Sequence, residues 1–465
     1  MRTVLRWFAA RPLRLLGGFL VFISTGLLVF LVLLDIAVGM GNPYIGILAY
    51  MVLPGVLILG LVLVPIDAWV QRRRAALGKP TYPVVDLTDP TQRKIAGFFA
   101  VASVVILVVT TVVLYKSVEF MDSVTFCGKV CHRVMIPEYT AYLRSSHASV
   151  DCVKCHIGPG APWYVRSKLS GLPQVWHYLR GDYRRPLETP LRALRPSREI
   201  CENCHWTERF YGSMLSTKIS HAQDRQNTRR VKSMLLRVGS GGVPGSGIHG
   251  HMASTIYYIP ARWDRREIAW LRVRRPDGSV REYVNPIYQA RLASIRQTEE
   301  QRLMDCIDCH NRAAHDFLPF ERLLDEAINR GQVDASLPFI KREAMKAVGD
   351  AQGVPTAAQQ ARVLKRIREI RLFYEKEFPE IAKNRRAQLQ RSIDAIEQIY
   401  LASGFAHMKV GPETYPNWAT HVGCFRCHGV MKEVGSSPSR YISANCELCH
   451  SQQIEGEPTE LLARF

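Results

Sequence analysis

The chain has 465 residues, enough for roughly two to four domains, with 47% hydrophobic residues and a formal net charge of +20. All 12 cysteines fall into six close pairs, at 127/131, 152/155, 201/204, 306/309, 424/427 and 446/449, and a histidine follows each pair directly. This leaves no cysteine for a disulfide framework or a thiol nucleophile, and so large a basic excess calls for an acidic partner, either nucleic acid or the carboxylates of a cofactor.

The apolar residues are concentrated in the first quarter of the chain. Residues 1–14 carry Arg2, Arg6, Arg11 and Arg14, and Leu15–Leu34 is then uncharged and long enough to cross a bilayer. Asn42-Pro43 breaks the run, Pro43–Ile66 is a second, and Ile95–Tyr115 a third, after a loop bearing Arg72, Arg73, Arg74 and Lys79. Three spans are expected, at about 15–37, 43–66 and 95–116, within a membrane domain covering 1–120. The first is read as an anchor, because no small-x-small site ends it as it would a cleaved leader. The positive-inside rule puts the N-terminus and the 72–94 loop in the cytoplasm, so everything after the third span lies outside.

Residues 121–212 hold three of the cysteine pairs among many Pro and Gly and are expected to be mainly irregular. In 213–300, Met234–Val238, Thr255–Ile259, Ile268–Val273 and Val280–Val284 read as short strands, with turns at Gly239–Gly247 and Pro276-Asp277-Gly278, which makes a small β-rich insert. Residues 301–320 carry the fourth pair. In 321–402, Pro355-Thr356 starts a helix and Ile367, Ile370, Leu372 and Phe373 recur at helical spacing, so this is a helical spacer. The last stretch, 403–465, carries two more pairs. The fold class is therefore membrane-anchored: three transmembrane helices and a mainly irregular or α-helical multihaem domain with a β-rich insert.

The haem reading comes from the motif. In C-x-x-C-H two thiols bond the porphyrin and the adjacent histidine ligates the iron. Cys127, Cys131, Cys152, Cys155, Cys201, Cys204, Cys306, Cys309, Cys424, Cys427, Cys446 and Cys449 are the attachment residues, for six haem c. His132, His156, His205, His310, His428 and His450 are the proximal ligands. The first site has three residues between its cysteines and is a variant. Paired cysteines also build zinc knuckles, but zinc does not require histidine in the next position six times over. Haem c is attached outside a bacterial cytoplasmic membrane, in agreement with the charge pattern.

Haem propionates also explain the charge. The parts assigned to the cytoplasm carry +7, and residues from 115 onward carry 51 Lys/Arg against 37 Asp/Glu. Arginine is the usual bidentate partner of a carboxylate, so nucleic acid is not needed as a partner.

The sixth coordination position decides between electron transfer, when it is closed, and substrate chemistry, when it is open. Eight histidines remain outside the motifs. His147, His221, His315 and His421 are expected as distal ligands, with His249, His251 and His407 as further candidates and Met408 and Met431 as alternative axial donors. Met135, three residues past His132, could replace that histidine at the first iron, where a thioether would raise the potential.

A membrane anchor precedes a haem site with a trailing methionine, then Cys152-Val-Lys-Cys155-His156-Ile-Gly-Pro-Gly-Ala-Pro-Trp163, Lys168-Leu-Ser-Gly171 and Cys201-Glu-Asn-Cys204-His205-Trp206. This resembles the NapC/NirT group of membrane-bound multihaem quinol dehydrogenases over about residues 95–211. The Cys424-Phe-Arg-Cys427-His428 tail is similar to extended members from metal-respiring bacteria. The resemblance implies oxidation of menaquinol or ubiquinol from the membrane pool at the first haem, and transfer to periplasmic cytochromes or reductases. An oligomer or complex with such partners fits the same reading. The family places a lysine about where Lys168 stands, at the quinol site, and a nearby acid. Here the matching stretch reads Leu172-Pro-Gln174-Val-Trp-His177, so the proton acceptor falls to His177 or Asp182. Two other readings stay open: a terminal reductase with an open haem, and a membrane-tethered wire without its own quinol site.

Overall fold

The computed structural model describes residues 12–38, 53–78, 88–94, 122–131, 133–189, 195–206, 209–240, 247–349 and 353–463, with 351 and scattered residues between 97 and 120. The chain divides into two units, the first comprising 1–131 with 151–172 and the second 132–150 with 173–465.

In the first unit, uncharged runs of Leu, Val, Ile and Phe form helices at Pro12–Val38 and Leu53–Ala76. Small residues join them. A Cβ on Gly60 would stand 2.8 Å from the Gly17 carbonyl oxygen, and one on Gly17 would stand 2.8 Å from the Gly60 oxygen. Such close backbone approach is how apolar helices associate where lipid is as greasy as leucine. Leu53–Ala76 is long and apolar enough to cross a membrane, and in the first helix the apolar stretch among the described side chains is Leu16–Leu31. Of the second predicted span, residues 43–52 lie outside the described residues, and the described helix continues through Arg72–Arg74, with the Arg73 guanidinium 5.0 Å over the Trp69 ring. Most of the third predicted span lies outside the described residues.

One correction concerns the stretch expected to be irregular, where Ala161–Arg180 is a continuous 20-residue helix. Gly171 and Pro173 look like breakers in sequence. Pro173 lacks one backbone donor, and the helix runs through it.

The second unit contains two antiparallel sheets and a helical module. Strands β1 (Tyr211–His221) and β2 (Arg229–Ser240) form a long hairpin, and β8 (Ile454–Glu455) adds to the other edge of β2. The second sheet has the order β6-β3-β4-β5-β7, from β3 (Thr255–Pro260), β4 (Ile268–Arg274), β5 (Val280–Val284), β6 (Arg302–Leu303) and β7 (Lys432–Glu433). The four segments expected as strands lie within β2, β3, β4 and β5. The β-rich part is not a self-contained insert, however. Its outer strands β7 and β8 come from the C-terminal segment, and the Arg237 amide donates to the Cys449 carbonyl at 2.8 Å, which ties the last cysteine pair to β2.

Residues 320–403 form five helices, Phe320–Asn329, Ile340–Val348, Ala357–Glu377, Pro379–Asn384 and Arg386–Ser403. Thr356 caps the longest in a reciprocal box with Gln359. Its buried face is Val363, Ile367, Ile370 and Tyr374, at helical spacing, while Leu372 is exposed.

A buried polar clamp docks the β1–β2 hairpin onto this module. The Lys341 ammonium donates to the Asp325 carboxylate at 2.8 Å and to the His221 carbonyl at 2.6 Å, and the His221 amide donates to Asp325 at 3.0 Å. At the hairpin tip, the Asn227 amide donates to the carbonyls of Ala335 and Leu337, both at 2.9 Å.

Two measurements test this packing. Lys341→Met strands the buried Asp325 charge and is expected to lower the unfolding free energy by about 3 kcal/mol in denaturant titrations of the full chain; wild-type stability would remove the clamp from the account. Gly60→Leu is expected to lower the melting temperature of the detergent-extracted protein, while Gly18→Leu, whose new side chain would point into open space, leaves it unchanged.

Candidate haem sites

The cysteine–histidine motifs fold as one recurring tight turn. In the third to sixth motifs the amide of the histidine donates to the carbonyl of the first cysteine: His205 to Cys201 at 2.8 Å, His310 to Cys306 at 2.7 Å, His428 to Cys424 at 3.1 Å and His450 to Cys446 at 3.1 Å. The second cysteine's amide bonds the same carbonyl in each, at 3.1–3.2 Å. A turn closed this way gathers two thiols and an imidazole, the set that attaches and ligates a haem. In the second motif the helix Cys152–His156 spans all three residues. In the first, the additional residue is absorbed by a π-helical turn, Phe126–Cys131, whose i→i+5 bonding is wider than an α turn. No disulfide joins the described cysteines.

Four motif histidines each face a histidine from elsewhere in the chain. The ring centres of His147 and His205 are 6.0 Å apart, those of His249 and His310 6.1 Å, those of His251 and His428 5.9 Å, and those of His421 and His450 6.1 Å. Two imidazoles bound through Nε2 to one metal at about 2 Å each have their centres about 6 Å apart, so the spacing fits an iron between the rings. The tautomers fit as well. Nδ1 of His147 lies 3.2 Å from the Ala313 carbonyl, that of His249 2.7 Å from Val238, that of His251 2.7 Å from Ile248, that of His428 2.5 Å from Ser443 and that of His450 2.6 Å from Ser451. A carbonyl can only accept, so the ring must donate from Nδ1, which leaves the Nε2 lone pair for a metal. Among the described residues no three or more His, Cys, Asp or Glu converge as a four-ligand zinc site would require.

The motif loops are also tied to one another. The Cys201 and Cys306 side chains lie against each other, and in the first unit those of Cys127 and Cys152 do the same. Asp308 and Arg426, each the residue just before a motif's second cysteine, are buried. The Arg426 guanidinium donates to the carbonyls of Asp308 and, at 3.0 Å, Arg265, and stacks 4.1 Å over Trp418. The Asp308 carboxylate accepts from the Tyr258 hydroxyl at 2.5 Å and the Asp305 amide at 2.8 Å, and burial, then Asp308, push the Tyr258 hydroxyl upward. Sequence reasoning missed this network; its only signal was a charged residue inside each motif.

The remaining predicted residues have varied settings. His221 is buried in the clamp, its Nδ1 3.5 Å from Asp325, away from the paired histidines; desolvation holds it below the usual histidine range. Nδ1 of His315 lies 2.9 Å from the Glu138 carbonyl, the same tautomer-setting contact. His407 is exposed. Met408 and Met431 are core residues, packed with Phe317 and Tyr415 and with Tyr258 and Leu271 respectively. Met135 is half-buried at the end of the 3-10 turn Arg133–Met135, and His132 lies outside the described residues. His177 and Asp182 are exposed and joined, Nδ1 to carboxylate, at 2.8 Å. Lys168 lies in the first-unit part of the helix Ala161–Arg180, with its side chain outside the described residues. Glu138, which sequence reasoning did not single out, has a buried carboxyl raised by desolvation.

Comparison with known proteins identifies the family. The model of the NapC/NirT cytochrome c family, N-terminal region, matches residues 89–189. The cytochrome c-type protein ImcH of Geobacter sulfurreducens is 40% identical over 450 residues, covering 94% of this chain and 87% of that protein. No solved structure matches the chain. Motif turns, facing imidazoles and relatives together define a membrane-associated multihaem c-type cytochrome of electron transport. The chain belongs to the NapC/NirT cytochrome c family.

Arg426→Leu leaves the Asp308 and Arg265 carbonyls buried without a donor. It is expected to destabilise the second unit by about 2–3 kcal/mol and to lower haem incorporation, both measurable by denaturant titration and pyridine haemochrome assay; unchanged stability would mean that the guanidinium does not hold the two loops.

Proposed function

We propose that the protein is a quinol dehydrogenase of the bacterial cytoplasmic membrane, anchored by three spans with its haem domain in the periplasm, that passes electrons through six haem c to a periplasmic cytochrome or reductase. The observation that carries the electron-transfer reading is the set of facing imidazoles about 6 Å apart. Irons with both axial positions taken transfer electrons and do not bind substrate, which argues against a terminal reductase at these sites.

Bound haem c supplies a one-electron carrier at each site, and the chain's own residues do the rest. Each motif cysteine pair holds its haem, and the motif histidines, His132 and His156 among them, are the proximal ligands. His147 closes the third site opposite His205, and His421 closes the sixth opposite His450. His315 is a distal ligand by virtue of its carbonyl-bound Nδ1, and Met135 is the alternative ligand at the first site. Lys168 holds a quinol oxygen by a charge-assisted hydrogen bond. His177, with Asp182 bonded to its Nδ1, is the second unit's candidate proton acceptor. Both protons leave on the periplasmic side.

Lys168→Gln tests the quinol site in haem-loaded protein. Quinol-driven haem reduction is expected to fall by at least about tenfold, while dithionite still reduces every haem. A wild-type rate with quinol would contradict Lys168 as the quinol ligand, and a wild-type protein that dithionite reduces but no quinol analogue reduces would point to the wire reading.

A further inference from the structure

Among the described residues, one short segment carries two of the facing histidines. The 3-10 turn Ile248–Ala253 holds His249 opposite His310, with ring planes 8° apart, and His251 opposite His428, with planes 81° apart. A 3-10 turn has about three residues per turn, so positions two apart project in directions about 120° apart. His249 and His251 therefore diverge, and each meets a different motif histidine. Each ring is fixed separately, since Nδ1 of His249 bonds the Val238 carbonyl at the end of β2 and Nδ1 of His251 bonds the Ile248 carbonyl in the turn itself. The turn is pressed against the hairpin: Gly247 has φ +71°, and a Cβ there would stand 2.9 Å from the Arg237 carbonyl. No other residue fits that position without moving backbone.

The motifs that face the turn are clamped to each other. Arg426, inside the fifth motif, donates to the carbonyl of Asp308, inside the fourth. The same economy links the flanking motifs. The Cys201 and Cys306 side chains of the third and fourth lie against each other. One helical turn, His421–Cys424, begins with the histidine facing the sixth motif and ends with the first cysteine of the fifth.

We propose that the turn Ile248–Ala253 clasps two haems, with His249 closing the iron of the Cys306–His310 site and His251 closing that of the Cys424–His428 site, so that the third to sixth haems follow one another in chain order. The proposal rests on the haem reading above and adds which histidine serves which iron. A shared turn sets the relative position of two haems more firmly than two independent loops would, because neither ligand can shift without the other.

The test uses the full-length, haem-loaded protein and the variants His249→Met, His251→Met and the double variant. Near-infrared magnetic circular dichroism counts bis-histidine and histidine–methionine haems, and mass spectrometry counts attached haems. Each single variant is expected to convert one haem equivalent and the double variant two, with the near-parallel pair lost only in His249→Met, visible as loss of its rhombic low-spin electron paramagnetic resonance signal. Conversion of one haem or none in the double variant, with every haem still attached, overturns the clasp and leaves the haem reading intact. Fewer attached haems than motifs in the wild type overturns the haem reading instead. If the methionine variants do not accumulate, His249→Ala and His251→Ala purified with imidazole replace them. Removing the imidazole is then expected to give one high-spin haem in each and two in the double alanine variant, and any smaller number overturns the proposal.

Discussion

The arrangement depends on a hydrogen bond from imidazole Nδ1 to a backbone carbonyl. An imidazole can ligate a metal only from a nitrogen without a proton, and a carbonyl fixes the proton on the other nitrogen. His147, His249, His251, His428 and His450 all have this contact, with acceptors in five different places along the chain. Much of the surrounding structure serves to hold those carbonyls. The hairpin β1–β2 carries Val238, and the loop after the fourth motif carries Ala313. The clamp around Lys341 keeps the hairpin seated on the helical module. The helices of 320–403 bear no haem motif, and their core of Phe320, Leu324, Ile367 and Ile396 supplies the packed apolar interior that the loops around the motifs do not build for themselves.

Four buried charges of the second unit are held in partnership. Each would be costly alone: Asp308, Lys341 and Asp325 are bonded to backbone and to another side chain, and Arg426 donates to three backbone carbonyls and stacks over Trp418. In this way the motif loops are fixed to one another before any contribution from a cofactor.

The covalent chemistry was the most legible part of the sequence, because haem attachment demands cysteines and histidine at fixed spacing. Strands β3, β4 and β5 were legible from their apolar runs and turn residues, and Thr356 marked its helix start through a capping pattern. Two kinds of feature were not. Strands of two residues such as β7 and β8 have no periodicity to read, so the C-terminal segment looked separate from the sheets it completes. Ala161–Arg180 was hidden by Gly171 and Pro173, which a helix tolerates when the rest of its residues favour it. Ligand partners were illegible for a different reason. His147 and His205 are far apart in sequence, and the Ala313 carbonyl that orients His147 belongs to a third segment. His221, by contrast, ends strand β1, and no pattern in the sequence marks that its amide and carbonyl are committed to Asp325 and Lys341.

In the proposed function, facing imidazoles close the irons of the second unit and make it a path for electrons. Low-temperature electron paramagnetic resonance of the oxidised, haem-loaded protein tests this most directly. The account predicts that the third to sixth haems are all low-spin, one of them rhombic, from the near-parallel His249–His310 planes, and the others strongly anisotropic, from planes 59–81° apart. A high-spin ferric signal amounting to one haem and assigned to any of these four sites would contradict it.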